Sequence, residues 1–227
     1  QPGPGISAHD SHDPLEIEDV FRNVSVVIPT NRDDNFTEES IPEWIETIIR
    51  RDDGLNVARN RGVEAAANDW IVLADDDITF PTQLTAMLVD SMHQNQLIGL
   101  EDFWPMEWVI GRFMIFHRSL WKKAGGFDES RPHGGDTDFA IRCDRAGARV
   151  LQLPRKIIPH HDEISEFSTD EHLEWLYYLF RNHPIQIAPK AGLLALSKLG
   201  WSSNTIDYPD SWKSQINIPP EESSKGQ

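Results

Sequence analysis

Residues 70–80 read WIVLADDDITF. Trp70 to Ala74 form an apolar run of strand length, and three consecutive aspartates, Asp75, Asp76 and Asp77, close it. Such a run bounded by polar residues predicts a buried strand. In parallel α/β sheets, ligands collect at the carboxyl ends of the strands, which is where these acids fall. Carboxylates this close repel one another, and burying them uncompensated costs several kcal/mol. They therefore either face water as an acidic turn or are compensated by a cation. Oxygen-only donors at a strand end suit Mg²⁺ or Mn²⁺, which commonly bridge carboxylates to phosphates.

The flanking sequence alternates strand and helix patterns. Upstream, VSVVIP (residues 24–29) is a β-branched run closed by Pro, and WIETIIR (44–50) reads as a second strand. LNVARNRGVEAAA (55–67) has apolar residues at helical spacing. Downstream, Pro81 opens a helical stretch as a first helical residue. GRFMIFHRSLWKKAGGFDES (111–130) predicts strand, short helix and Gly turn, and residues 134–147 a helix with Phe139, Cys143 and Ala146 on its apolar face. RVLQLP and RKIIPHH read as further strands, and residues 31–42 as a polar loop. The expectation is an α/β fold with a mostly parallel sheet flanked by helices. A disordered leader would occupy residues 1–22, the α/β domain 23–165, and a C-terminal helical extension and tail 166–227. Ser168 and Glu171 have capping-box spacing at the start of that extension.

Composition narrows the function. The net charge is −16, with 37 acidic against 21 basic residues, so a nucleic-acid-binding surface is not expected. Only seven of the basic residues are Lys. That balance fits adaptation to high salt as well as an ordinary acidic protein. The lone Cys143 rules out an internal disulfide. No stretch approaches the roughly 18 apolar residues of a membrane span. With Lys190 and Lys198 as the only basic residues of 184–200, at most peripheral membrane contact is expected. A cytoplasmic location follows, or a peripheral one at the inner face of the membrane.

Four pieces occur in order: VSVVIPT, GLNVARNRGVEAAANDWIVLADDD, GRFMIFHRSLWKKAGGFDE and GGDTDFAIRCDRAGARV. Together, from Val24 to about His161, they resemble the family 2 glycosyltransferases of the GT-A fold, inverting enzymes that use nucleotide-sugars. The resemblance implies a nucleotide-sugar donor, Mn²⁺ or Mg²⁺ as cofactor, and a glycan, a lipid-linked sugar or a small molecule as acceptor. ADDD is similar to the family's DxD signature, which implies that Asp77 binds the metal and that Asp75 contacts the ribose or the metal. GGDTDFAIR resembles the acceptor-side motif, which implies Asp136 as the catalytic base, Asp138 as its fallback, and Arg142 as a brace. By the same resemblance His160 or His161 serves the metal or diphosphate, Thr30 and Arg59 lie beside the nucleotide, and Asp52 or Asp53 reads the nucleobase. Trp104 is an acceptor platform on general grounds, since sugars stack on aromatic faces.

The sequence departs from the family pattern twice. Gly135 stands where the family has Glu, and a polar stretch replaces the usual helix between the first two strands. Two other readings compete. One is a catalytically impaired, glycosyltransferase-like binding or scaffold module. The other is a nucleotidyltransferase, which would want a Gly-rich phosphate loop after the first strand, where PTNRDDNF has no glycine.

Overall fold

The computed structural model describes residues 16–102, 106, 108–131, 135–158, 161 and 169–198. Six strands form one sheet: β1 (Val24–Pro29), β2 (Glu46–Arg50), β3 (Trp70–Ala74), β4 (Gln96–Glu101), β5 (Val109–His117) and β6 (Arg149–Leu153), in the order β2-β1-β3-β5-β4-β6. β1 pairs parallel with β2 and β3, β4 pairs parallel with β6, and β5 alone runs antiparallel to both its neighbours. The mostly parallel expectation holds in this form. The helices are α1 (Ile17–Phe21), α2 (Phe36–Ser40), α3 (Leu55–Ala65), α4 (Thr82–Ser91), α5 (Arg118–Ala124), α6 (Gly135–Arg145), α7 (Thr169–Asn182) and α8 (Pro184–Lys198).

The period of two along each strand divides the core into two layers. Val24, Val26 and Ile28 of β1 and Val72 and Ala74 of β3 face α1 and α4, meeting Phe21, Ala86, Leu88 and Val89. Val27, Ile71 and Leu73 face the opposite side, with Val63 of α3, Leu120 of α5 and Phe139, Ala140 and Cys143 of α6. Phe127, Phe139 and Phe116 form an aromatic stack there, with centroid separations of 4.3 and 5.4 Å. Burial pushes the Cys143 thiol up to about 12, so it is an inert core residue as its helical position implied.

Five expectations are corrected. Residues 17–21 of the expected leader are helix α1, anchored by buried Phe21. The 31–42 stretch contains α2, whose cap Asn35 accepts from Glu38 N–H at 3.0 Å. The second strand begins at Glu46 rather than Trp44, and Pro81 is the cap residue before α4 rather than its first residue. RKIIPHH does not open as a strand: Arg155–Ile157 make one 3₁₀ turn after Pro154, with Arg155 N–H held by Glu101. A further strand, QLIGLE, lies fully buried between β5 and β6, where its interrupting Gly99 had hidden it. The Ser168 cap lies outside the described residues, but the helices it was to open exist as α7 and α8. Their buried Leu179 and Ile187 pack on Met106 and Ile141 of the α/β body.

Candidate active site

The parallel strands β1, β2 and β3 all end on one edge of the sheet, and antiparallel β5 begins there. Asp75 N–H donates to Arg112 O at 2.9 Å, which sets the acidic turn against the first residues of β5. Asp136, in the first turn of α6, arrives from the other side: its Oδ2 accepts Gly111 N–H at 2.7 Å and its Oδ1 accepts Thr137 N–H at 3.1 Å. Asp75 and Asp136 therefore flank the start of β5, close enough to interact electrostatically. Burial pushes the Asp75 carboxyl above its ordinary range, Asp77 and Asp136 push the same way, and Arg59 and Arg112 oppose them.

The turn itself is braced by its neighbours. Thr30 at the end of β1 donates its hydroxyl to Asp76, so Asp76 is a hydrogen-bonded member of the turn rather than a merely solvated residue. Thr37 of α2 donates to Asp75 O at 2.6 Å and accepts Ile78 N–H at 3.0 Å. The short helix in the expected loop thus positions the acids. Asp77 is buried, and its carbonyl accepts His161 N–H at 2.8 Å. His161 Nε2 lies 2.7 Å from Thr79 Oγ1 and its ring rests 5.5 Å from that of Phe36. A histidine 84 positions downstream is thereby brought to the turn. His160 and Trp104 lie outside the described residues.

Arg59 lies buried beside the acidic turn. Its side chain is 3% exposed, 3.9 Å from Asp75 Oδ1 and 5.4 Å over the Phe127 ring. Its Nε and Nη1 make no hydrogen bond among the described residues. It approaches because residue 111 is Gly: a Cβ there would stand 2.1 Å from Arg59 Nη2. Arg59 is a buried counter-charge beneath the acids rather than a surface hook for phosphate. Asp52 is occupied by Arg50, with two contacts of 2.7 Å that hold its carboxyl below the usual range. Asp53 is left exposed where β2 meets α3.

Asp138 does not qualify as a fallback base. Its side chain is 4% exposed; Arg142 donates to its Oδ2 at 2.8 and 2.7 Å and His183 Nε2 lies 2.7 Å from its Oδ1. A carboxylate occupied in this way cannot reach an acceptor, and Arg142 forms the bracing ion pair that the family resemblance implied. Breaking such a buried pair costs about 3–5 kcal/mol. Asp138→Ala should therefore lose about that much stability in urea unfolding, in contrast to substitutions of Asp136.

Gly135 has a packing reason. A Cβ on it would lie 2.3 Å from Asn56 Nδ2, which donates to Asp128 O and Arg131 O at 3.0 Å each. Gly135→Ala should destabilise by about 1–3 kcal/mol through overpacking. In an Asn56→Gly background the same substitution should turn stabilising, because helix propensity favours Ala over Gly by about 1 kcal/mol. A double-mutant cycle in denaturant checks the sign change.

Gly111, Asn56, Thr37 and His183 were missed by sequence reasoning. An isolated Gly inside the run VIGRFMIFH signals close backbone approach and would have pointed to Gly111. The other three take their roles from partners 38 to 75 residues away.

Among the described residues, no three His, Cys, Asp or Glu side chains converge as a preformed metal centre. The donor set still suits a hard divalent ion. Such an ion needs only one or two carboxylates and completes its shell with water and substrate phosphates. Among the described residues no helix is long and apolar enough to cross a membrane.

Residues 26–101 match the model of glycosyl transferase family 2, a span that includes β1 to β4, Arg59 and the acidic turn. No curated protein matches the chain in sequence. Among solved structures, glucosyl-3-phosphoglycerate synthase from Mycobacterium tuberculosis, in complex with Mn²⁺, uridine diphosphate and phosphoglyceric acid, superposes with a TM-score of 0.52 and 15% identity, covering 77% of this chain and 84% of that one. A mannosyltransferase from Pyrobaculum calidifontis, in complex with GDP-mannose and Mn²⁺, gives 0.50 and 13%, covering 86% and 83%. At such identities these structures establish the shared GT-A fold.

Proposed function

We propose that this chain, a family 2-like glycosyltransferase of the GT-A fold, moves a sugar from a nucleoside-diphosphate sugar to a hydroxyl acceptor in a metal-dependent, inverting reaction. The observation that supports this reading is the meeting of Asp75 and Asp136 across the start of β5. An acid fit to serve a divalent ion and an acid fit to serve as base flank one short stretch of backbone. The neighbours solved with nucleotide and Mn²⁺ are consistent with the same chemistry.

In this reading Asp75 and Asp77 hold the ion, with His161 or His160 beside it. When bound, the ion neutralises negative charge on the departing diphosphate. Asp136 does the proton chemistry. Gly111 N–H and Thr137 N–H hold its carboxylate in one orientation, and lone pairs remain to accept the acceptor's proton. As the hydroxyl oxygen bonds to the anomeric carbon, the bond from that carbon to the phosphate oxygen breaks. The nucleoside diphosphate leaves from the opposite face, and the configuration inverts. Asp53 is the exposed acid available for the nucleobase, Thr30 lies at the nucleotide end of β1, and Arg59 tunes Asp75 from below. A glycan, a lipid-linked sugar or a small molecule is the acceptor class.

The test is to incubate the protein with Mn²⁺ and UDP-glucose, UDP-galactose or GDP-mannose, with candidate acceptors, and to follow nucleoside diphosphate release and product anomeric configuration by NMR. Release that needs the divalent ion, with an inverted product, is expected. Retention of configuration, or turnover undiminished by EDTA, would overturn the mechanism. A folded protein that consumes none of the donors would favour a non-catalytic module.

A further inference from the structure

The geometry points to His183 as a positioning residue for the base helix, holding Asp136 in register from the C-terminal hairpin. It rests on the reading of Asp136 as base, but its physical core is a set of contacts. His183 is the single residue between α7 and α8; its N–H donates to Leu179 O at 2.8 Å and its carbonyl accepts Ile187 N–H at 3.0 Å. Its ring is buried, with 3% of the side chain exposed, and both its nitrogens meet α6: Nε2 lies 2.7 Å from Asp138 Oδ1, and Nδ1 lies 3.4 Å from Arg145 Nη1.

Those partners decide the tautomer. A guanidinium can only donate, so Nδ1 must be the accepting nitrogen and Nε2 carries the hydrogen that goes to Asp138. Asp138 lies two residues after Asp136 in the same first helical turn. With its Oδ2 on Arg142 and its Oδ1 on His183, that turn is clamped from within α6 and from the α7–α8 junction. Arg142 also donates to Ala124 O at the end of α5. Thr137, between the two acids, donates its hydroxyl to Asp102 Oδ2 at 2.9 Å, and on the side of β5 Asp136 makes its 2.7 Å bond with Gly111 N–H.

A second tie runs beside the first. Tyr178 of α7 donates its hydroxyl to Asp128 Oδ2 at 2.6 Å, and Arg131 lies 4.8 Å over the Tyr178 ring. Hydrogen bonds from Tyr178 and Ser130 hold the Asp128 carboxyl below its usual range although burial opposes them. Asn56 in turn grips Asp128 O and Arg131 O. Asp128 and Arg131, and the first turn of α6, are thus all held by the α7–α8 hairpin. The hairpin adds no group to the reaction; it holds the helix that does.

The test compares His183→Leu with His183→Gln, whose Nε2 can still donate to Asp138. The reporter is the Gly111 amide, whose hydrogen exchange measures the bond to Asp136 directly by NMR, with Val26 and Val72 in the central strands as controls. Gly111 exchange should accelerate at least tenfold in His183→Leu while the controls hold, and should recover in His183→Gln. With a donor that the wild type consumes, kcat should fall on the order of 10²-fold in His183→Leu at unchanged donor KM, the effect of a displaced base, and recover in the Gln variant. The inference is overturned by unchanged Gly111 exchange in folded His183→Leu. It is equally overturned if the controls accelerate alongside Gly111, or if Gln fails to rescue. If the wild type consumes none of the donors tested, the enzymatic reading fails, and the Gly111 amide still decides the positioning.

Discussion

Asp136→Asn should lower kcat by about 10²–10⁴-fold, the contribution of a positioned general base, while donor binding persists. Asn is nearly isosteric, and its amide oxygen can still accept Gly111 N–H, the contact Asp136 makes at 2.7 Å. What disappears is the capacity to take a proton, together with the second acceptor atom, since an amide nitrogen cannot accept the Thr137 N–H that Asp136 Oδ1 holds at 3.1 Å. The stability cost should be small, because a carboxylate in a helix's first turn contributes only about 0.3–1 kcal/mol. A variant that melts near wild type, binds nucleotide with Mn²⁺ and does not turn over is the expected result. Turnover within threefold of wild type would remove Asp136 from the mechanism and leave the acidic turn without a base partner.

Asp77→Ala should remove the stabilisation that Mn²⁺ and a nucleoside diphosphate together give the wild type. A ligand at a hundred times its dissociation constant stabilises the native state by about 2.7 kcal/mol. For a chain of this size each kcal/mol moves Tm by about 2–4 °C. The wild type should thus gain roughly 5–11 °C with UDP or GDP plus Mn²⁺, and much less with EDTA. Asp77 is buried in the turn, with its carbonyl bound to His161 N–H at 2.8 Å. Truncating the side chain leaves that backbone contact intact. The variant should fold and show no shift. A full shift in Asp77→Ala would mean that the ion, if one binds, sits elsewhere.

The two experiments separate roles that neighbouring acids share in the sequence. Asp136 and Asp138 are two residues apart in the first turn of α6, and both satisfy the pattern of an acid at a helix start. Their fates differ because the helix turns by about 100° per residue, so positions two apart point to different sides. One meets Gly111 at the mouth of the sheet, and the other meets His183 in the interior. The same holds in the acidic turn, where Asp76 is taken up by Thr30 and Asp75 lies over Arg59.

Local pattern alone was enough for the strands that form the centre of the sheet. β1 and β3 begin and end where their β-branched runs do, since a buried strand must be apolar throughout and its polar neighbours end it. The acidic turn followed directly from the end of the third strand, and the order of motifs carried the resemblance to the family whose model matches residues 26–101. Two features resisted. α2 hid in a polar stretch because a cap and two first-turn acids make a helix that buries little. β4 hid because Gly99 breaks its pattern at a bulge.

The chain order of this protein therefore determined its layers and its acidic turn, because burial and strand termination are written in neighbouring residues. Only the tertiary structure decided that Asp138 is buried against Arg142 and His183 while Asp136 meets Gly111, why residue 135 carries no side chain, and that Arg59 lies beneath the acidic turn. Those outcomes depend on contacts between segments far apart in sequence, Asn56 with Arg131 and Asp138 with His183 among them. A hydrogen bond is specified by both its partners, and no local period records the distant one.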